Sequence, residues 1–470
     1  MVKVAKRWLI LGHRWLGIGA GLLVALWIGS GLVMLHVPFP RLSQAERLAR
    51  LPPIAWDRVA IAPDAALAAA GQPEPAALGL EMQGGEPVYR VTGRDGGRAT
   101  VSARTGERRP ALTPEEARAL AGAGTVEPVA RDQWTVTARY DPLRPFHKVA
   151  LADAAGTEVY VSAPTGEVAL VTTRFERGWN WVGAVVHWVY PTPLRARPDL
   201  WRDVVLWLSG LAIPLLASGL VLGIWRLGWP RRYRNGALTP YRGLARWHHL
   251  SGLAGGLALT GFLVSGWLSM NPNRWFTGPA PPAALVAAQA GPWHPVGLDP
   301  AGLRRVAAPD AVALRFTTLG GRPLVVSLTR EGRRVMGADG GPGPDEAQIV
   351  AAAMRAMGQA APPTVERLTA HDAHWSGLGE RPLPMLRLRF ADPAATWLHV
   401  DPRDGTIAER LDRSGRAYRW LFDGLHRLDF FVLAGPAREL AQWALNLLGA
   451  VVVISGLVAG WRRVGRRLWG

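Results

Sequence analysis

Trp15-Leu-Gly-Ile-Gly-Ala-Gly-Leu-Leu-Val-Ala-Leu-Trp-Ile-Gly-Ser-Gly-Leu-Val-Met-Leu-His-Val-Pro-Phe-Pro40 contains no Asp, Glu, Lys or Arg. Three further stretches share that property: Val204 to Trp225, His248 to Asn273 and Leu440 to Trp461. Each, as a helix, is long enough to cross a hydrocarbon core of about 30 Å. The 470 residues are therefore read as a four-helix membrane bundle carrying other material, and not as a row of soluble domains. The first run is too long for a removed signal peptide, and its Gly-Leu-Val-Met-Leu-His end lacks the small residues of a cleavage site. It is read as a retained anchor.

The net charge of +18 suggests nucleic acid until its distribution is read. Lys3, Lys6, Arg7 and Arg14 precede the first run. Arg226, Arg231, Arg232, Arg234, Arg242 and Arg246 surround the short loop between the second and third runs, and Arg462, Arg463, Arg466 and Arg467 end the chain. No acid stands among these fourteen, and the remaining forty basic residues face thirty-six acids in the two long segments. This is the positive-inside pattern, which puts both termini and the short loop in the cytoplasm and the long segments outside. No nucleic-acid partner is expected; membrane lipid is. Many of the 22 Trp, among them Trp8, Trp179, Trp181, Trp229, Trp247 and Trp461, fall at the ends of the runs, as an interfacial aromatic belt requires. Cysteine is absent, so thiolate metal sites, iron–sulfur clusters and thioether-linked haem are excluded.

The two halves repeat one another. His13-Arg-Trp-Leu-Gly17 and His248-His-Leu-Ser-Gly252 lie 235 residues apart, and the Ser30-Gly31 and Ser265-Gly266 that follow keep the same offset. Ser218-Gly-Leu-Val221 in the second run is echoed by Ser455-Gly-Leu-Val458 in the fourth. The repeat singles out four histidines. His13 and His248 stand at the cytoplasmic ends of the first and third runs; His187 and His426 precede the second and fourth on the outer side. Six-coordinate haem b needs two imidazoles at one depth, so His13 with His248 and His187 with His426 are the expected bis-His pairs for two haems. Cross-pairing would ask one cofactor to bridge most of the bilayer. His249 is either a supporting hydrogen-bond partner of His248 or its substitute as ligand. Gly17, Gly21, Gly31, Gly252, Gly255, Gly256 and Gly266 either clear space for a flat cofactor or let helices pack closely.

Each long segment reads as hairpin, helix, hairpin. Val88-Tyr-Arg-Val-Thr and Ala99-Thr-Val-Ser flank a Gly-rich turn, Thr113-Pro-Glu-Glu opens a helix, and His147-Lys-Val-Ala-Leu pairs with Glu158-Val-Tyr-Val-Ser. The second segment follows with Leu324-Val-Val-Ser-Leu, a helix capped by Asp345, and Leu386-Arg-Leu-Arg-Phe opposite Trp397-Leu-His-Val. Two α+β domains are expected.

Strand-turn-strand units closed by Thr105-Gly106-Glu107, Thr165-Gly166-Glu167 and Asp404-Gly405-Thr406 resemble PepSY domains. With Val33-Met-Leu-His-Val-Pro-Phe-Pro40, Trp247-His-His-Leu-Ser-Gly252, Leu268-Ser-Met-Asn-Pro272 and Gly424-Leu-His-Arg-Leu-Asp-Phe430, nearly the whole chain resembles the PepSY-associated transmembrane helix family. Some members of that family are haem-bearing inner-membrane reductases linked to ferric-siderophore uptake. The resemblance implies a bacterial inner-membrane protein with periplasmic PepSY-like domains, reducing ferric iron or a ferric siderophore with electrons from a cytoplasmic or quinol donor. It favours Tyr at the position of His36, which leaves His36 outside the ligand set.

The expected organisation is a tandem duplication: transmembrane helices at 8–37, 179–229, 247–272 and 417–463, the second and fourth including an outer interfacial segment. PepSY-like domains fill 38–178 and 273–416, and 230–246 and 464–470 are cytoplasmic. His147, His294 and His399 are read as surface or strand residues; His371 and His374 would form an i, i+3 metal pair on a helix, against which the β-rich surroundings and the lack of a third nearby ligand argue. No hydrolase, phosphate-loop or dinucleotide motif occurs. The alternative to a di-haem oxidoreductase is a non-enzymatic sensor or assembly factor that binds a periplasmic protein or peptide.

Overall fold

The computed structural model describes residues 2–230, 233, 236–379, 381–430 and 433–468, with side chains from residue 4 to 465. Arg231, Arg232 and Arg234 of the basic loop lie outside the described residues, as do the side chains of Lys3, Arg466 and Arg467. Four helices are long and apolar enough to cross a membrane: Val4–His36, Pro198–Trp225, Gly243–Ser269 and Gly435–Gly465. The first and third each pack against both the second and the fourth, so they occupy opposite corners of the bundle. The centre is apolar, built from Val24, Ile28, Ala212, Leu259, Leu263, Val452 and Val453. Trp8, Trp207, Trp229, Trp247 and Trp461 point outward and are exposed, as side chains at a lipid interface would be.

The second and fourth helices do not continue the segments that hold His187 and His426. Short helices Arg174–Val182, Ala184–His187 and Thr192–Arg195 step toward the second helix. Arg413–Tyr418, a π-helical Arg419–Gly424 and Leu425–Arg427 do the same before the fourth. Thr173 closes a full capping box with Glu176 at the start of the first of these steps, satisfying N–H groups that the helix end would leave unpaired.

The sheet strands are β1 (Pro75–Gln83), β2 (Glu86–Gly93), β3 (Arg98–Ser102), β4 (Gly124–Val129), β5 (Phe146–Leu151), β6 (Glu158–Ser162) and β7 (Val168–Thr172) in the first long segment. The second holds β8 (Ala313–Leu319), β9 (Arg322–Leu328), β10 (Arg333–Gly337), β11 (Thr364–Leu368), β12 (Met385–Arg389), β13 (Trp397–Val400) and β14 (Ile407–Leu411). The expected hairpins β2–β3, β5–β6 and β12–β13 form, and helices Pro114–Ala121 and Glu346–Met357 start at Thr113 and Asp345 with capping boxes.

The arrangement of sheets departs from one self-contained domain per segment. β4 to β7 and β11 to β14 form two four-stranded antiparallel sheets, but β10-β9-β8-β1-β2-β3 is a single six-stranded sheet drawn from both halves. Left apart, β1 and β8 would each present an unpaired edge. Joined, they bury Leu78, Leu80, Leu314 and Phe316 in one core with Tyr89, Val101, Leu303 and Val325. The register sets Leu78 opposite Phe316 and Glu81 opposite Ala313. At the 235-residue offset Leu78 corresponds to Ala313 and Glu81 to Phe316, so each strand meets its own counterpart end for end. A Cβ on Gly79 would lie 3.0 Å from the Leu314 carbonyl oxygen, and glycine there permits this close approach. The β4–β7 sheet is anchored by Trp134, Tyr140, Phe146, Tyr160 and Tyr190, packed with Phe39, Trp188 and Trp201 from one end of the bundle.

Candidate functional site

All four histidines are held in the same way. His13 Nδ1 lies 3.0 Å from the Leu215 carbonyl oxygen and 3.2 Å from Ser218 Oγ on the second long helix. His248 Nδ1 lies 3.0 Å from the Val452 carbonyl and 3.3 Å from Ser455 Oγ on the fourth. His187 Nδ1 is 3.1 Å from the Trp27 carbonyl and 3.2 Å from Ser30 Oγ. His426 Nδ1 is 3.1 Å from both the Phe262 carbonyl and Ser265 Oγ.

A carbonyl oxygen only accepts, so each Nδ1 carries the proton and donates it. Each serine hydroxyl spends its own proton on its helix backbone: Ser30 on Leu26 and Ser265 on Gly261 at 2.6 Å, Ser218 on Leu215 and Ser455 on Val452 at 2.9 Å. The serine oxygens are thereby left to accept from the imidazoles. Protonation at Nδ1 fixes the neutral tautomer whose lone pair sits on Nε2, and the bond that fixes it also sets the ring's direction.

The residue after each serine is glycine, and the ring lies against it. A Cβ on Gly219 would come within 2.7 Å of His13 Cε1, and one on Gly456 within 2.8 Å of His248 Cε1. At Gly31 and Gly266 the corresponding distances to His187 and His426 are 3.3 and 3.4 Å. Ser-Gly is thus a cradle: the serine accepts from the ring and the glycine makes room for it. Gly17, Gly21, Gly252, Gly255 and Gly256 instead face Leu215, Leu457, Val452, Leu448 and Leu220, which is close helix packing.

Held so, the rings face one another in the expected pairs. The His13 and His248 centroids are 6.2 Å apart with planes at 41°, and those of His187 and His426 are 6.0 Å apart at 66°. Metal–imidazole bonds of about 2 Å on either side of one ion, plus roughly 1 Å from nitrogen to ring centre at each end, put two coaxial rings about 6 Å apart. The separation within each pair therefore fits two imidazoles that would share one iron. Trp27 follows His13 by fourteen residues on the same helix, as Phe262 follows His248. At 1.5 Å per residue the two levels are about 21 Å apart.

Burial pushes the His187 pKa down to about 4, and its neighbour His426 adds to this against the bond to Trp27. Burial also lowers that of His426. Both rings are neutral at ordinary pH, the state in which imidazole binds a metal. Phe422 stacks on His426 at 5.3 Å.

His249 turns away from this site. Its Nδ1 is 2.8 Å from Thr239 Oγ1 and its Nε2 2.8 Å from the Gly223 carbonyl. Both nitrogens are occupied, so as placed it clips the loop to the second helix and offers no lone pair in place of His248. His36 accepts from Trp443 Nε1 at 3.2 Å and lies 3.6 Å from Glu439, apart from both pairs. His147 and His399 are strand residues, but buried: His147 bonds the Leu112 carbonyl, and His399 accepts from Arg387 and approaches Glu409. His371 and His374 sit on an irregular loop, so the helical i, i+3 arrangement does not arise, and no cluster of three metal-binding side chains occurs among the described residues.

The cradling role of Ser30, Ser218, Ser265 and Ser455 escaped the sequence reading, although the recurrence of Ser-Gly in all four apolar runs was its visible signal. No protein-family model matches the chain, and no curated protein matches it.

Proposed function

We propose that the chain is a di-haem membrane oxidoreductase that carries electrons from the cytoplasmic side to an acceptor outside. The observation that supports this reading is the fourfold recurrence of one imidazole geometry, with two pairs of rings at two depths, each spaced so that both imidazoles could share one iron. His13 and His248 would hold the inner haem b, His187 and His426 the outer. Haem bound there supplies a ferric/ferrous couple at each level. The backbone carbonyls and serine oxygens leave the lone pair on Nε2, the glycines admit the rings, and the centre of the bundle is apolar.

The chain is a tandem duplication of the PepSY-associated transmembrane helix type. It resides in the bacterial inner membrane with both termini and the basic loop in the cytoplasm and the sheets in the periplasm. Its acceptor is ferric iron, free or chelated by a siderophore. Reduction releases such iron because the ferrous ion is a poorer match for hard oxygen ligands.

The test is a reduced-minus-oxidised spectrum and haem count on the purified chain, with His187→Ala and His426→Ala beside wild type. Two haems per chain are expected, falling to the same single remaining haem in either variant. Absence of haem from the wild-type chain overturns the reading and leaves the non-enzymatic alternative, in which the histidines are structural.

A further inference from the structure

The junction of β1 and β8 borders a cavity of ≈ 630 Å³, a volume within the usual range for small-molecule sites. Six guanidinium groups line it: Arg47, Arg90, Arg98, Arg315, Arg333 and Arg403. They come from both halves of the chain, and they outnumber their acids. Arg47 at 2.5 Å and Arg90 at 3.0 Å share Glu81. Arg98 lies 3.1 Å from Glu167. Arg315 at 2.6 Å and Arg333 at 3.2 Å share Asp404, while Arg333 and Arg403 share Asp401.

Six cations thus rest on four carboxylates among the described residues, with two positive charges left over. Asp401 and Asp404 are buried behind the wall, whereas Arg315, Arg333 and Arg403 line the cavity itself. The Nε atoms of Arg315 and Arg333 are buried without a hydrogen-bond partner among the described residues. Burial lowers the Arg333 pKa, and Arg403 and Arg315 add to this against Asp404, the mark of cations crowded together. Like charges in a concave site shielded from water repel more strongly than on an open surface. A planar guanidinium matches paired oxygens of a carboxylate or phosphate.

We propose that this cavity binds a small oxyanion of about two negative charges, bearing carboxylate or phosphate groups and gripped by arginines from both halves. The site is separate from the histidine pairs and does not depend on what they hold.

Isothermal titration calorimetry on the purified full-length chain in non-ionic detergent and phosphate-free buffer tests it, with citrate, succinate, inorganic phosphate and glycerol phosphate as probes. Saturable binding of at least one is expected, weakening as salt is raised. Citrate and succinate alone would assign the site to carboxylic acids, and the phosphates alone to phosphate compounds. Arg98→Gln with Arg403→Gln removes the two surplus charges from the more exposed rim and should weaken binding at least tenfold. Glu167→Gln adds to the surplus and should tighten it, which decides the matter even where the double variant fails to fold. No saturable binding by any probe, wild-type affinity in a folded double variant, or weaker binding in Glu167→Gln overturns the proposal.

Discussion

Alanine at Gly219 or Gly456 should damage the inner site while alanine at Gly31 or Gly266 leaves the outer site nearly intact. Carbon atoms in ordinary contact lie about 3.5–4.0 Å apart. The added methyl at Gly219 would stand 2.7 Å from His13 Cε1, and at Gly456 2.8 Å from His248 Cε1. The ring must therefore retreat by close to an ångström. Nδ1 begins 3.0 Å from its carbonyl in both cases, and such a retreat carries it beyond hydrogen-bond range. Overpacking costs about 1–3 kcal/mol and the lost bond about 1 more. The sum, about 2–4 kcal/mol, is one to three orders of magnitude in affinity. Without a cofactor the ring can swing clear, so the cost falls on ligation more than on folding. At Gly31 and Gly266 the methyl contacts of 3.3 and 3.4 Å need a shift of only tenths of an ångström, and the cost stays below about 1 kcal/mol. Haem per purified chain and the midpoint potentials of what remains are the measurements. One haem in each inner-site variant and two in each outer-site variant are expected. Two haems with unchanged potentials in Gly219→Ala and Gly456→Ala would refute the cradle.

Two further outcomes follow from the histidines themselves. His249→Ala removes two hydrogen bonds, to the Gly223 carbonyl and the Thr239 hydroxyl, each of which keeps a backbone N–H partner in Arg226 and Tyr241, and should cost about 1–3 kcal/mol of stability, read as a lower melting temperature, with haem content unchanged. Loss of the inner haem in that variant would return His249 to the ligand set. The His187 pKa stands at about 4 in the fold against an ordinary 6.5, so between those values the unfolded chain takes up a proton that the folded chain refuses. The melting temperature of the haem-free chain should fall as pH drops from 6.5 toward 4, and the fall should be smaller in His187→Asn. An equal fall in both would remove His187 as its source.

The pairing of the histidines was legible because position relative to an apolar run fixes depth, and the repeat supplied each histidine with a counterpart. That the first and third helices stand at opposite corners was not legible, since runs such as Leu22 to Trp27 are apolar on every side and favour no neighbour. The Ser-Gly dipeptides were visible as a repeat, but what a glycine faces is settled by the helix beside it, and so Gly219 and Gly456 passed unread while Gly255 and Gly256 drew notice. β1 was missed because Pro75-Ala-Ala-Leu-Gly-Leu-Glu-Met-Gln83 lacks β-branched and aromatic residues. Its partner β8 lies more than two hundred residues away, beyond any local pattern.

Each imidazole is clamped by a helix of its own half: His13 by the second, His187 by the first, His248 by the fourth and His426 by the third. Each faces its partner ring in the other half. Orientation is therefore settled within a half, and completion of either pair waits for the halves to meet. The β1–β8 seam has the same form, a strand matched to its own counterpart about a midpoint, which is the geometry of an isologous, two-fold contact. The chain is in this sense a dimer written on one strand of polypeptide. Its two faces are free to differ, as Tyr190 and Asp429 do three positions after their histidines, and their meeting carries none of the concentration dependence of a true dimer.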